Sequence, residues 1–202
     1  TLGFSSAASD VYKRQASVCA SSGFNALKFL DLARLEKITW YSGVPTMHQA
    51  ILLRANKNKE AAKNLNLRLI RSSSASLPPA VFKDLNDAFN CPVIEAYGMT
   101  EATHQMTSNP LPPKQQKAGF VGLPAGPEVC IMSENGDMMK QGEEGEVCIK
   151  GKNVTLGYEN NEEANKTSFT NGWFRTGDQG YFDEDGYLKI SGLSLIHISE
   201  PT

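Results

Sequence analysis

A tyrosine, a threonine, a glutamate and a histidine crowd into the stretch IEAYGMTEATHQ, residues 94–105. A short apolar run ends at Tyr97, and Gly98, Thr100, Glu101 and His104 follow it. An aromatic ring at a strand end can stack on a flat base. Gly98 lets a backbone approach a ligand closely. The Thr100 hydroxyl can hydrogen-bond a phosphate oxygen. The Glu101 carboxylate can hold a hard cation, directly or through water. Together these residue types suit a nucleotide with bound magnesium. A solvated turn beside a half-buried tyrosine is the plainer alternative.

Two other stretches carry compatible chemistry. In WFRTGD, residues 173–178, Thr176-Gly177 predicts a tight turn that presents the Asp178 carboxylate. Such a carboxylate can accept from both hydroxyls of a ribose. An ordinary Gly-Asp turn beside a buried Trp173 is the alternative. In RSSSASLPP, residues 71–79, small side chains leave room for a ligand against the backbone. There the alternative is a helix start capped by Ser76.

These residues need elements to position them, and the first half of the chain alternates. Apolar residues at helical spacing (Phe24, Leu27, Leu30, Leu32, Leu35) predict a helix over 24–35. Ile38 to Ser42 reads as a buried strand. Pro45 can open a helix that continues through Met47 to Leu53. Arg68 to Ser72 reads as a strand, Pro78-Pro79 starts a helix to about Phe89, and Pro92 to Ala96 is a third strand. Strands separated by helices predict an α/β fold, a parallel sheet with crossover helices. In such sheets ligands bind beyond the carboxyl ends of the strands, where Tyr97 falls.

After about Pro113 the texture changes. Gly, Pro, Asn and Asp punctuate short apolar runs at Glu128–Met132, Glu146–Lys150, Gln179–Phe182 and Tyr187–Ile190. Asp185-Gly186 is a strong hairpin signal. This predicts a small antiparallel β subdomain with one helix near Asn161 to Ser168. The expected division places an α/β part at 16–113 and a β-rich part at 114–192, with the boundary in the Pro-rich Asn109 to Lys117.

The 202 residues are 40% hydrophobic and 21% charged, which fits a folded globular chain. A formal net charge of −2 gives no electrostatic case for nucleic acid or an anionic membrane. No apolar run approaches the roughly 20 residues needed to span a bilayer. Cys19, Cys91, Cys130 and Cys148 form no CxxC pair and read as buried thiols in a reducing compartment. Asn153-Val-Thr and Asn165-Lys-Thr match a glycosylation sequon that is idle without secretion. With no signal peptide visible, the default compartment is the cytosol; a peroxisomal address at a true carboxyl terminus would lie beyond the visible sequence.

The two ends read as non-native. Asp10 to Gln15 (DVYKRQ) back-translates to GATGTGTATAAGAGACAG. The reverse complement encodes Leu193 to Ile198 (LSLIHI). One nucleotide sequence read on both strands thus gives both ends, and it resembles a transposon sequencing adaptor. Residues 1–15 and 193–202 are therefore expected to be adaptor-derived tails around a biological fragment.

Tyr97-Gly-Met-Thr-Glu101, followed downstream by Gly172-Trp-Phe-Arg-Thr-Gly-Asp178, resembles the adenylate-forming superfamily of acyl-CoA ligases, luciferases and adenylation domains. Val44-Pro-Thr46, the Ser-Ala-Ser-Leu77 loop, Gly145-Glu-Val147 and Gly157-Tyr158 also match. The resemblance covers 16–192 and implies the second half of a large N-terminal domain. It implies that Ser74, Ala75 and Ser76 flank adenine, that Glu95 and Ala96 lie at its edge, and that Tyr97 stacks on it. It implies Thr100 on the α-phosphate, Glu101 on magnesium and Asp178 on ribose. The sequence departs from the family pattern at Ser74-Ala-Ser76, where Gly-Gly-Ala-Pro is more usual. It also has Leu193 in place of an expected Arg. The Gly-rich phosphate loop and the lysine-bearing C-terminal domain of the family are not seen.

The resemblance implies activation of a carboxylate by ATP and transfer to coenzyme A. Arg71 to Leu77 with Glu95 to His104 looks most like the oxalate–CoA ligase branch, itself similar to 4-coumarate–CoA ligases. A small dianion needs a small polar pocket, and His104 with Ser73 or Ser74 can supply donors. His48 is assigned to packing. A fatty acyl or aryl-CoA ligase is the second reading. A nucleotide-binding fragment without catalysis is the third, and it is the one expected of the 202 residues on their own.

Overall fold

The computed structural model describes residues 23–193, and the chain divides into two compact units, residues 1–93 and 94–202. The tail at 1–15, Cys19, and all of the second tail except Leu193 lie outside the described residues.

The first unit is α/β. Strands β1 (Trp40–Gly43) and β2 (Leu69–Ser72) pair in parallel, with Gly43 opposite Ser72. Helices α2 (Pro45–Lys57) and α3 (Lys59–Lys63) make the crossover. Pro45 stands in the first turn of α2, where its missing N–H costs nothing. His48, Ile51, Leu52 and Ala55 form the buried stripe of α2 at helical spacing. Asn58 ends α2 and caps α3, its Oδ1 accepting from the Ala61 N–H at 3.1 Å. Helix α4 (Pro79–Phe89) buries Leu85 and Phe89 and stops at Asn90 in the left-handed conformation. The Ile70 N–H donates to the Pro92 carbonyl at 2.9 Å, so the entry to the next strand runs beside β2. Ile51, Ile70, Leu77, Leu85, Phe89 and Val93 form the centre of this core.

Two expectations shift here. Helix α1 covers only Phe29–Leu35, not 24–35. The Asn25 side chain accepts from the Leu27 N–H at 2.9 Å and holds residues before it in a turn. Leu27 and Leu35 are exposed, and Ala33 is the buried residue. Strand β1 starts at Trp40 rather than Ile38 because the Ile38 N–H is still bonded to the Ala33 carbonyl at 3.1 Å.

The second unit is mainly antiparallel. Strand β3 (Val93–Tyr97) crosses the division and pairs with β4 (Thr107–Ser108), which pairs with β5 (Leu123–Pro124). A larger sheet holds β6 (Glu128–Met132), β7 (Gly145–Lys150), β9 (Trp173–Phe182) and β10 (Leu188–Leu193) in the order β10-β9-β7-β6, with β8 (Phe169–Thr170) on β9. Ile131, Val147 and Leu188 fill one side of its core, and Met106, Ile149 and Phe174 another cluster. Gly186 at φ 78 closes the expected β9–β10 hairpin. Lys117 Nζ pins that hairpin to Asp183 and Asp185 at 2.5 and 2.6 Å. Helix α5 (Glu162–Ser168) is capped by Asn161, as its position before Glu162 suggests. No helix among the described residues is long and apolar enough to cross a membrane.

Candidate functional site

Tyr97 is the last residue of β3, as expected. Its hydroxyl donates to the Asp178 carboxylate. Burial and the negative Asp178 both push the phenol's pKa well above its usual value. Asp178 is held above the ordinary carboxylate value by burial, with the Glu146 charge adding and the Tyr97 bond opposing.

Asp178 does not stand on a tight turn. Residues 173–182 are one strand, and the predicted turn at Thr176-Gly177 is a β-bulge within it. On β7, Glu146 faces Gln179 but Cys148 faces Arg175, so the three residues 176–178 oppose Val147 alone. Gly177 takes φ 76 to make this possible. Thr176 Oγ donates to the Val147 carbonyl at 2.8 Å and accepts from the Asp178 N–H at 3.1 Å. Beneath the bulge, buried Arg175 donates to Glu146 Oε2 through Nε at 2.8 Å and Nη2 at 2.5 Å. Glu146 Oε1 accepts the Gly177 N–H at 2.9 Å. The bulge thus re-aims the carboxylate that a turn was expected to present.

Residues 98–104 fold back on themselves. A Cβ on Gly98 would lie 2.4 Å from the His104 carbonyl, so the backbone that needs this glycine is the chain's own. Thr100–Ala102 form a single 3₁₀ turn, followed by Thr103 and His104 at φ 56 and 59. Thr100 and His104 are exposed, Glu101 is half-buried and Ala102 is buried. Asn153 Nδ2 donates to the Ala102 and Gln105 carbonyls, both at 2.9 Å, and fixes the turn. Glu101 Oε1 accepts the Tyr158 hydroxyl at 3.0 Å. The two sequon asparagines therefore have structural work: Asn153 here and Asn165 on the Tyr158 backbone. Glu95 and Ala96 are buried. The Glu95 carboxylate accepts the Gly119 N–H at 2.7 Å.

In the first unit, Ser73 is half-buried and Ser74, Ala75 and Ser76 are exposed. Arg71 Nη1 donates to Ser42 Oγ at 3.2 Å and to Ser73 Oγ at 3.0 Å. Ser74 sits at φ 72, a conformation that favours glycine. Ser76 does not cap α4; its N-cap residue is Pro78, with no side-chain bond.

Burial pushes Cys91 and Cys130 up to about 11 and Cys148 to about 12, so none is a ready nucleophile. All three are free thiols. His48 is fully buried as expected, its Nδ1 3.3 Å from the Tyr41 hydroxyl. Leu193, where an arginine was expected, is exposed and stands opposite Asp178 in the β9–β10 ladder. Glu146, Arg175 and Tyr158 have no role visible in the sequence alone. The signals were present in Gly145-Glu-Val147, the RTGD run and Gly157-Tyr158, but the contacts they make are 29 to 57 residues away in sequence.

An aromatic strand end is joined to a strand-borne aspartate, and a threonine–glutamate turn lies between them in sequence; the family comparison fits this arrangement. Residues 11–159 match the AMP-binding enzyme family, and the chain belongs to it. Among curated proteins it is 51% identical over 174 residues to the oxalate–CoA ligase of Arabidopsis thaliana, covering 86% of this chain and 34% of that one. It is 46% identical over 183 residues to the oxalate–CoA ligase of Saccharomyces cerevisiae, covering 90% and 33%. Among solved structures, ATP-bound MatB from Rhodopseudomonas palustris matches with a TM-score of 0.76 and 34% identity, covering 84% of this chain and 33% of that one. The chain spans about a third of the length of these relatives.

Proposed function

We propose that this chain is part of a longer ATP-dependent acid–CoA ligase and that its acid is oxalate. The observation that carries the adenylating part is the Tyr97–Asp178 contact: it joins a ring able to stack on a base to a carboxylate able to accept from a ribose. The 51% identity to a plant oxalate–CoA ligase supports the substrate.

In the first step a carboxylate oxygen attacks the α-phosphorus of ATP. The bond to the bridging oxygen breaks, and pyrophosphate leaves with its electron pair. In the second, the coenzyme A sulfur attacks the acyl carbon, AMP leaves and the thiol proton is lost. No enzyme nucleophile is needed. Tyr97 stacks on adenine, and Asp178 accepts from the ribose hydroxyls. At the adenine edge the contact falls to the backbone of Glu95 and Ala96, since the Glu95 carboxylate is taken by Gly119. The exposed Thr100 hydroxyl donates to the α-phosphate, where charge grows during attack.

Among the described residues no group of three or more His, Cys, Asp or Glu could hold a metal ion. A lone carboxylate, Glu101, fits magnesium that arrives on nucleotide phosphates and keeps most of its waters. When bound, the ion supplies charge neutralisation at the phosphates. His104 donates to the distal carboxylate of the acid. The 202-residue piece alone does not turn over, and ATP raises its melting point little or not at all. The cytosol is the proposed compartment.

Pyrophosphate release by the full-length ligase tests the substrate. Oxalate is expected to outrun octanoate and 4-coumarate. Preference for either of the latter overturns oxalate and favours the wider-pocket reading.

A further inference from the structure

Tyr158 is exposed enough to be spared any role in the core, yet its position is closely determined. The Thr155 N–H donates to the Glu101 carbonyl at 2.7 Å, fastening the segment before Tyr158 to the 3₁₀ turn. Thr155 Oγ donates to the Gly157 carbonyl at 3.0 Å and accepts the Gly157 N–H at 3.2 Å. Asn165 then clamps the next residue from both sides. Its Oδ1 accepts the Tyr158 N–H at 2.7 Å, and its Nδ2 donates to the Tyr158 carbonyl at 2.9 Å. Gly157, at φ 146, sits tight against this clamp: a Cβ there would lie 3.0 Å from Asn165 Oδ1, which would have to give by a few tenths of an ångström. The Tyr158 ring leans on buried Phe174 at 6.4 Å between centroids. This frame delivers one group, the hydroxyl, to one acceptor, Glu101 Oε1, at 3.0 Å.

We propose that Tyr158 is a positioning residue for Glu101, holding its carboxylate in the orientation that takes the divalent cation of the nucleotide. The proposal rests on Glu101 as the cation ligand. A phenol donor on one oxygen fixes the carboxylate plane and leaves the other oxygen to face the ion. Partners of this kind orient metal ligands and govern affinity. In this frame the glycine leaves space for the Asn165 clamp, and the clamp aims the tyrosine.

The test uses the full-length ligase and Mn2+ as the probe. Free Mn2+ is followed by electron paramagnetic resonance in the presence of ATP, beside the Mg2+ dependence of ATP–pyrophosphate exchange. Tyr158→Phe is expected to weaken Mn2+ binding about tenfold, with the KM for ATP at saturating Mg2+ unchanged. Asn165→Ala keeps the hydroxyl but frees its frame, and a smaller shift in the same direction is expected. Glu101→Gln is expected to weaken Mn2+ more than either. Unchanged Mn2+ affinity in Tyr158→Phe, with weakened binding in Glu101→Gln, overturns the role of Tyr158 and leaves Glu101 standing. Unchanged affinity in Glu101→Gln overturns the reading of Glu101 itself. Equal loss of ATP binding with and without the metal in Tyr158→Phe makes Tyr158 merely structural and also overturns the proposal.

Discussion

The Tyr97 hydroxyl donates to the Asp178 carboxylate, joining the end of β3 to the bulge of β9 across 81 residues of sequence. Because burial and Asp178 hold the phenol's pKa high, it remains a donor throughout the neutral range. Tyr97→Phe keeps the ring and removes the bond. The expected loss of stability is about 1.5 kcal/mol, the scale of a hydrogen bond to a charged group. Chemical denaturation checks this, and an unchanged midpoint contradicts it.

Asp178 sits above its ordinary value of 3.8 because it is partly buried beside Glu146. In the proposed role, ribose hydroxyls donate to the ionised form. Nucleotide binding by the full-length ligase should therefore fade as pH falls through the raised pKa, earlier than an ordinary carboxylate would require. Stability runs the other way. The folded state holds this proton more tightly than the unfolded chain, so stability declines as pH rises from 3.8 through the raised value. Asp178→Asn should remove both limbs, as titration of nucleotide binding and of melting point will show.

His48 is buried, and desolvation lowers its pKa from 6.5 to about 4. The unfolded chain therefore takes up a proton that the folded chain refuses. The associated stability is complete above 6.5 and is lost as pH falls toward 4. The gap corresponds to roughly 3 kcal/mol. His48→Gln should flatten the acid limb of stability between those values. An acid limb as steep as that of the unaltered protein would contradict this.

Glu146 and Arg175 form a buried pair at 2.5 Å, and Glu146 also holds the Gly177 amide. Removing either charge strands the other and should cost about 3–5 kcal/mol. Arg175→Met is expected to lower the urea midpoint accordingly, and the double replacement Glu146→Leu with Arg175→Met should recover part of the loss. A small effect of the single change would show that the pair does not support the bulge.

Much of the fold was legible because hydrophobic period and turn chemistry are local. Pro79 to Phe89, Glu128 to Met132 and the Asp185-Gly186 hairpin fall where the sequence places them. The helical spacing runs past the start of α1 because Leu27 keeps that spacing while facing solvent. The WFRTGD bulge was read as a turn because its cause is not in those six residues. It depends on Val147 of β7 and on a buried ion pair reaching from Glu146. Gly98 and Tyr158 were noticed by type, but their partners, the His104 backbone and Glu101, become visible only in three dimensions.

The central claim is that the Tyr97–Asp178 pair receives the nucleoside of ATP. The most direct test is ATP–pyrophosphate exchange by the full-length ligase carrying Asp178→Ala or Tyr97→Ala, with melting points measured alongside. Each variant is expected to raise the KM for ATP at least tenfold, on the order of the 1.4 kcal/mol that a lost ribose or base contact represents, with the KM for the acid unchanged. Folded variants with an unaltered KM for ATP would contradict the claim.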